Sequence, residues 1–264
     1  MNDTSPQAGS TAGPTACVLV IGNEVLSGRT KDANINYLAE ELTKLGIPLV
    51  ECRVIRDVEA EIIEAVNACR AKYTYVFTTG GIGSTHDDIT AKSVAAAFGL
   101  DFGTHPEAER ILLAHYGDKA NTARMRMAMT PAGAHLIDNP VSKAPGFRVE
   151  NVYVMAGVPV IARAMFDGIK GTLKGGRIMV VQTVSTIGIS EGMIGEELRV
   201  LQDHHASVDI GSYPFLKFGG FGTNLVVRGA DKAQVEAACA DIRAMIKAAG
   251  GTPLDGETEG EELK

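Results

Sequence analysis

The residues of this chain best suited to chemistry lie between Thr78 and Thr90, in the stretch TTGGIGSTHDDIT. Gly80, Gly81 and Gly83 carry no side chains, so the backbone there can approach a ligand closely and turn successive N–H groups toward it. A helix beginning near Thr85 to Asp88 adds further N–H groups and the positive end of a helix dipole. Such an arrangement suits an anion, yet two adjacent carboxylates, Asp87 and Asp88, follow directly. Thr85 and Asp88 also fit a capping box with Asp in the Glu place, which accounts for one carboxylate and not for both. A divalent cation reconciles the two tendencies. Mg²⁺ uses one or two carboxylates together with substrate phosphates, and a bound cation polarises phosphorus. On this reading the glycines and Thr85 hold a phosphate, and Asp88 with Asp87 holds a divalent metal (Mg, Mn, Co or Ni).

Two more loops are expected at the same edge. GNEVLSG (Gly22–Gly28) presents Asn23 and Glu24, and Arg56–Asp57 follows the next strand candidate. Glu24, Asp57 and Asp88 are each able to accept a proton from an attacking water. Each is equally consistent, taken alone, with a helix cap or a solvated group.

The elements that must position these residues can be read from periodicity. ACVLVIGNE is a continuous apolar run suited to a buried parallel strand. DANINYLAEELTKLG carries Ile35, Leu38, Leu42 and Leu45 at helical spacing. PLVECRVIR, then DVEAEIIEAVNACR with Asp57 placed as its cap, then YTYVFTTGG and DDITAKSVAAAFG, continue the alternation. Strand and helix at this pitch predict a three-layer α/β fold, a mostly parallel sheet with helices on both faces. Ligands on such sheets sit at the carboxyl ends of the strands, where the glycine peptide lies. Further helices are expected around PEAERILLAHYG, NTARMRMAM and VIARAMFDGI, and GFRVENVYVM predicts a hairpin turning near Glu150–Asn151. KGTLKGGR (170–177) has the composition of a linker. After it the order becomes β-α-β-β-α, a small α+β domain. The predicted organisation is therefore a tail over 1–15, an α/β domain over 16–170, a small domain over 176–250 and an acidic tail over 251–264.

Across 264 residues the composition is 45% hydrophobic and 22% charged, with net charge −7 and pI about 5.4. That balance is ordinary for a globular chain and opposes nucleic-acid binding over a broad basic surface. Four scattered cysteines, Cys17, Cys52, Cys69 and Cys239, form no metal or disulfide framework and read as buried small residues of a cytoplasmic protein. No apolar run is long enough to span a membrane, and the polar N-terminus lacks the pattern of a signal peptide. Four features look functional and are expected not to be. GGFG (Gly219–Gly222) has the GxxG of nucleic-acid-binding KH domains but falls inside a predicted hairpin. His204–His205 ends a helix, where neighbours point apart. His86 sits in the glycine loop as a donor or a plain turn residue. Met125, Met127 and Met129 read as packing, with Arg124 or Arg126 able to reach a phosphate.

Taken together, IGNEVLSGRTKDANINYLAEEL, VFTTGGIGSTHDDITAKSVAAAFG and NPVSKAPGFRVENVYVMAGVP resemble the molybdopterin-binding family, from about Ala16 to Ile169. Within it the likeness is to the N-terminal region of competence/damage-inducible protein A and to a similar domain of some FAD synthases. The small domain resembles the KH-like segment that follows in the competence proteins. The resemblance implies an oligomeric three-layer α/β fold. In the molybdopterin adenylyltransferase branch the glycine loop binds the dithiolene-phosphate end of the pterin, with functional aspartates matching Asp57 and Asp88. In the competence-protein branch the pocket is associated with metal-dependent ADP-ribose pyrophosphatase activity. The loops Lys143–Gly146 and Ala156–Pro159 match ligand-facing loops, with backbone amides at Gly146 and Gly157. Two positions depart: Asn23 stands where aspartate is common, and Ser84 where proline is common, adding a hydroxyl donor. The chain lacks the amidase domain of the longer competence proteins, so that activity is not expected. The leading expectation is a cytoplasmic homo-oligomer that hydrolyses a nucleoside-diphosphate linkage such as ADP-ribose with a divalent metal. The alternatives are molybdopterin binding or adenylyl transfer, and a non-catalytic binding or assembly role. The partner is a nucleotide or pterin phosphate, with no nucleic acid and no membrane.

Overall fold

A computed structural model describes residues 13–217 and 220–258. The chain divides after Gly176 into two compact units. Among the described residues, no helix is long and apolar enough to cross a membrane.

The first unit runs β1 (Ala16–Ile21), a single turn α1 (Asn23–Leu26), α2 (Asn34–Lys44), β2 (Leu49–Ile55), α3 (Glu59–Lys72), β3 (Tyr75–Thr79), α4 (Thr90–Phe98), β4 (Phe102–Thr104), α5 (Pro106–Tyr116), α6 (Thr122–Met125), β5 (Met129–Pro131), β6 (His135–Ile137), β7 (Gly146–Val149), β8 (Val152–Met155) and α7 (Pro159–Ile169). Its six-stranded sheet has the order β2-β1-β3-β8-β7-β6. β2, β1, β3 and β8 are parallel, and β7 and β6 add antiparallel pairs at one edge.

The interior strand β1 is apolar throughout because both its faces are covered. Cys17, Leu19 and Ile21 pack with Ile62, Val66 and Cys69 of α3 and Val94 of α4. Ala16, Val18 and Val20 pack with Leu38 and Leu42 of α2 and with Met165 and Phe166 of α7. The result is the three-layer α/β fold that the alternation implies. β7 and β8 form the expected hairpin, with Glu150 at φ 48° in its turn.

Several local expectations need correction. The helix expected from Thr85–Asp88 starts instead at Thr90, with Ile89 before it and no side-chain cap. Residues 122–129 are not one helix. A turn of α6 gives way to a 3-10 turn over Arg126–Ala128, and Met129 begins β5, which pairs with β4. Asp57 does not cap α3, whose N-terminal flanking residue is Val58. Cys17, Cys69 and Cys239 are buried, but Cys52 is exposed on the edge strand β2.

The second unit runs β9 (Val180–Ile187), α8 (Glu191–His204), β10 (Val208–Lys217), β11 (Gly220–Gly229), α9 (Lys232–Ala248) and β12 (Pro253–Asp255). Its antiparallel sheet, β10-β11-β9-β12, is covered by α8 and α9 through Val184, Leu225, Ile194, Val235, Ile242 and Ile246. Asp231 begins α9, accepting from the amides of Ala233 and Gln234. Gly220 and Gly222 lie in β11, paired with β10, so they are not the helix-joining loop of a KH site; Gly219 lies outside the described residues. The acidic tail expected from residue 251 is structured at first. Pro253–Asp255 pair with β9, and the Thr258 amide donates to Asn224 Oδ1. The remainder of that tail, and residues 1–12 of the N-terminal one, lie outside the described residues.

Candidate functional site

A cavity of about 480 Å³ opens where β3 and β8 end. Close backbone approach builds its floor. Gly80 has φ +103°, and a Cβ there would stand 2.1 Å from the Ile21 carbonyl oxygen at the end of β1. The Gly80 amide donates to the Met155 carbonyl of β8 at 3.2 Å. Gly157 lies over Gly80, and a Cβ on it would be 3.2 Å from the Gly80 Cα. Asn34 holds this second loop from α2, its Nδ2 donating to the Gly157 carbonyl at 2.8 Å.

Beyond Gly80 the chain forms a closed loop. Gly81 accepts from the Thr90 amide at 3.0 Å, which joins the loop to the start of α4. Asp88 Oδ2 accepts from the Thr85 amide at 2.8 Å and from the Thr85 hydroxyl. Gly83 leaves room for that carboxylate, since a Cβ there would lie 2.6 Å from Oδ2. Thr85 and Asp88 therefore bond each other within the loop and do not cap α4. The Asp87 carboxyl is held below its ordinary range by the Thr85 hydroxyl and by its own backbone amide.

The opposite wall comes from Asn139–Ala144. Asn139 is buried and fully used. Its Nδ2 donates to Ser142 Oγ at 2.6 Å and to the Ala144 carbonyl at 2.7 Å. Its Oδ1 accepts from the amides of Val141 and Ser142. Lys143 takes φ 64° within this turn. Met127, Val158, Pro159 and Ile161 add an apolar wall.

Of the residues singled out in the sequence, Glu24, Gly80, Gly81, Gly83, Asp88 and Gly157 line the cavity. Ser84, Thr85, His86 and Asp87 sit on the loop without lining it. Asn23 and Asp57 meet each other instead, the Asn23 amide donating to Asp57 Oδ2 at 2.9 Å. This contact anchors α1, and with it Glu24, to the loop after β2. Gly146 is a buried residue of β7, opposite Ile137, and its missing side chain admits the Val154 carbonyl. Sequence reasoning missed Thr30, Asn139 and Ser142, and it read Met127, which lines the cavity, as packing; Asn139 followed by Pro140 is the one local signal of a fixed turn.

The charged residues that line this cavity are Glu24 and Asp88, both acidic. An adjoining cavity of about 220 Å³ shares Ile82, Gly83, Asp88 and Met127 and is lined also by Lys92 and Arg126. Arg124 is engaged elsewhere, stacked on Tyr116 at 4.6 Å. Two carboxylates therefore share the cavity with the glycine backbone, and two cationic side chains line the space beside it.

A family profile described as "Probable molybdopterin binding domain" matches residues 17–175, and one described as "FAD synthase, middle domain" matches 180–253. A relative from Pyrobaculum calidifontis, named only "Protein", is 34% identical over 76% of this chain and 81% of its own length. A "Probable FAD synthase" of Caenorhabditis briggsae is 31% identical over 84% of this chain and 48% of its own, so this chain spans about half of that relative. Among solved structures, "the protein CinA with unknown function" from Thermoplasma acidophilum superposes with a TM-score of 0.58 at 30% identity, over 60% of this chain and 97% of that one. The first profile covers the six-stranded unit together with the cavity at its strand ends, and the chain accordingly belongs to the molybdopterin-binding domain family.

Proposed function

We propose that the cavity at the ends of β3 and β8 binds a phosphorylated ring compound of pterin or nucleotide type together with a divalent cation, and transfers an adenylyl group between phosphates. The observation that carries this reading is the pairing of Glu24 and Asp88 with the bare backbone of Gly80–Gly83 in one cavity. Its volume lies within the several hundred Å³ usual for small-molecule sites. Met127, Val158, Pro159 and Ile161 supply an apolar wall for a ring, and the glycine loop would offer the amides of Gly81 and Gly83 to a phosphate, that of Gly80 being bonded to Met155. The relatives' descriptions name molybdopterin and FAD, both phosphate-bearing ring compounds. They favour a pterin or nucleotide acceptor over the water of the ADP-ribose hydrolysis expected first from the sequence.

When bound, a divalent ion supplies charge neutralisation and polarisation at phosphorus. Asp88, with one oxygen fixed by Thr85, keeps its other oxygen available as a ligand. Glu24, exposed at the rim, is the group placed to accept a proton from an attacking nucleophile. Lys92 and Arg126 attract the far end of a polyphosphate.

The test is incubation of the pure chain with Mg²⁺, Mn²⁺, Co²⁺ or Ni²⁺ and either ATP plus molybdopterin or ADP-ribose, with products identified by mass spectrometry. Adenylylated pterin and pyrophosphate are expected. AMP and ribose phosphate from ADP-ribose would replace transfer by hydrolysis. Binding without turnover of either would leave a non-catalytic role. Asp88→Asn is expected to lower turnover by about 100-fold or more, and unchanged turnover in that variant would remove the proposal.

A further inference from the structure

His204 and His205 follow each other in sequence, and on a continuing helix their rings would diverge by about 100°. The chain does not continue as a helix there. His204 is the last residue of α8, and His205 flanks it with φ −105° and ψ 52°. The helix therefore ends between the two side chains, and their rings come to lie 4.9 Å apart, nearly perpendicular. Asp241, on the exposed side of α9, reaches the same place. His205 Nε2 stands 2.8 Å from Asp241 Oδ2. One nitrogen from each imidazole and one carboxylate oxygen all fall within 4.8 Å of one another, the one such group of three found among the described residues.

We propose that His204, His205 and Asp241 form a binding site for a borderline divalent transition-metal ion of the Zn²⁺, Co²⁺ or Ni²⁺ class. Imidazole nitrogen with one carboxylate is a donor set these ions accept and Mg²⁺ does not favour. Metal–ligand bonds of about 2.0–2.2 Å at tetrahedral or octahedral angles separate neighbouring donors by roughly 3.0–3.5 Å. The His205–Asp241 pair is already near that spacing. His205 is held, with its side chain 13% exposed and its amide and carbonyl bonded to Leu201 and Val208. His204 is exposed, and a rotation about its side-chain bonds brings in the third donor without moving the backbone. Three protein ligands leave a coordination position open to water or to a further donor. An ion held there ties the end of α8 to the middle of α9.

The site shares no residue with the cavity of the first unit, whose ionisable lining residues are carboxylates, and the nature of the donors distinguishes the two. The full chain, without a polyhistidine tag and stripped with a chelator, is titrated with Co²⁺. Visible absorption and proton magnetic resonance then report the ligands. The expected result is a Co²⁺ ion that shifts the ring protons of two imidazoles, and a thermal midpoint that rises with Co²⁺ concentration, since an ion at 100 times its Kd favours the folded state about 100-fold. His204→Gln, His205→Gln and Asp241→Asn should each weaken this binding at least about tenfold. His115→Gln, at an exposed position on α5 of the first unit, should leave it unchanged. Absence of imidazole shifts would overturn the proposal, as would binding that survives His205→Gln or Asp241→Asn; the His205–Asp241 contact would then be a hydrogen bond and no more.

Discussion

Replacing Gly80 by alanine tests the construction of the cavity floor most directly. Two costs combine. At φ +103° a residue with a Cβ is strained by roughly 1–3 kcal/mol. The new methyl would also stand 2.1 Å from the Ile21 carbonyl oxygen, where a carbon and an oxygen in contact need about 3.3 Å. The ends of β1 and β3 must then separate by more than an ångström. Ile21 is buried, and Val20 is paired with Thr79 next to it, so separation disturbs packing and ladder bonds worth roughly 1–3 kcal/mol. The total is about 2–6 kcal/mol. Gly28→Ala supplies the control. It too has positive φ, +72°, but nothing lies within 4 Å of its added Cβ, so only about 1–2 kcal/mol of backbone strain applies. Urea unfolding of both variants gives the difference, which isolates the steric part. In thermal melts it should appear as a Gly80→Ala midpoint lower than that of Gly28→Ala by about 2–4 °C for each kcal/mol. If the two variants are equally stable, the close approach of β1 and β3 is not what requires glycine.

Asn139→Ala removes the four hydrogen bonds of a buried side chain and should cost about 2–4 kcal/mol in urea unfolding. Nucleotide affinity should fall with it, because Ser142 and Ala144 line the cavity. The Tyr73 hydroxyl, followed by Arg53 and Lys72, holds the Glu51 carboxyl down at about 2, against 4.5 ordinarily. A depressed carboxyl contributes stability that is complete above its unfolded value and disappears as pH falls through the folded one. The thermal midpoint should therefore drop between pH 4.5 and pH 2 more steeply in the native chain than in Glu51→Gln; parallel curves would show that the cluster contributes nothing. A thiol reagent should modify Cys52 alone in the folded chain and all four cysteines in guanidinium, as only Cys52 is exposed. Reaction of Cys17 or Cys69 without unfolding would contradict the packing of β1 against α3.

The central architecture was legible because its signals are long. The apolar run of β1, the 3.6-residue spacing of Leu38 and Leu42 and the paired turn at Glu150–Asn151 each repeat one physical preference over many residues. β4, β5 and β12, three residues each, are too short to show a period and exist by pairing with distant strands. The start of α4 was misplaced because Thr85 and Asp88 bond each other in a pattern that, in sequence alone, is the same as a cap. The glycine loop announced itself, but the walls facing it did not. Met127 reads in sequence as packing, and nothing in the NPVSKAPG stretch marks Asn139 or Ser142 as lining residues; all three reach the cavity through the fold of the first unit. The closeness of His204 and His205 was not legible for a related reason: the helix stops between them, and Asp241 arrives from 36 positions further along the chain.

The walls of the cavity come from stretches around residues 24, 80–88, 127–144 and 156–161. Nearly the full span of the first unit must be in register before any one of these segments finds its neighbours. Ligand affinity thus doubles as a gauge of cooperative folding: a fragment ending before Asn139 would keep the glycine peptide and lose the enclosure, and a chain that loosens β7 and β8 would release its ligand while β1 and β3 were still paired.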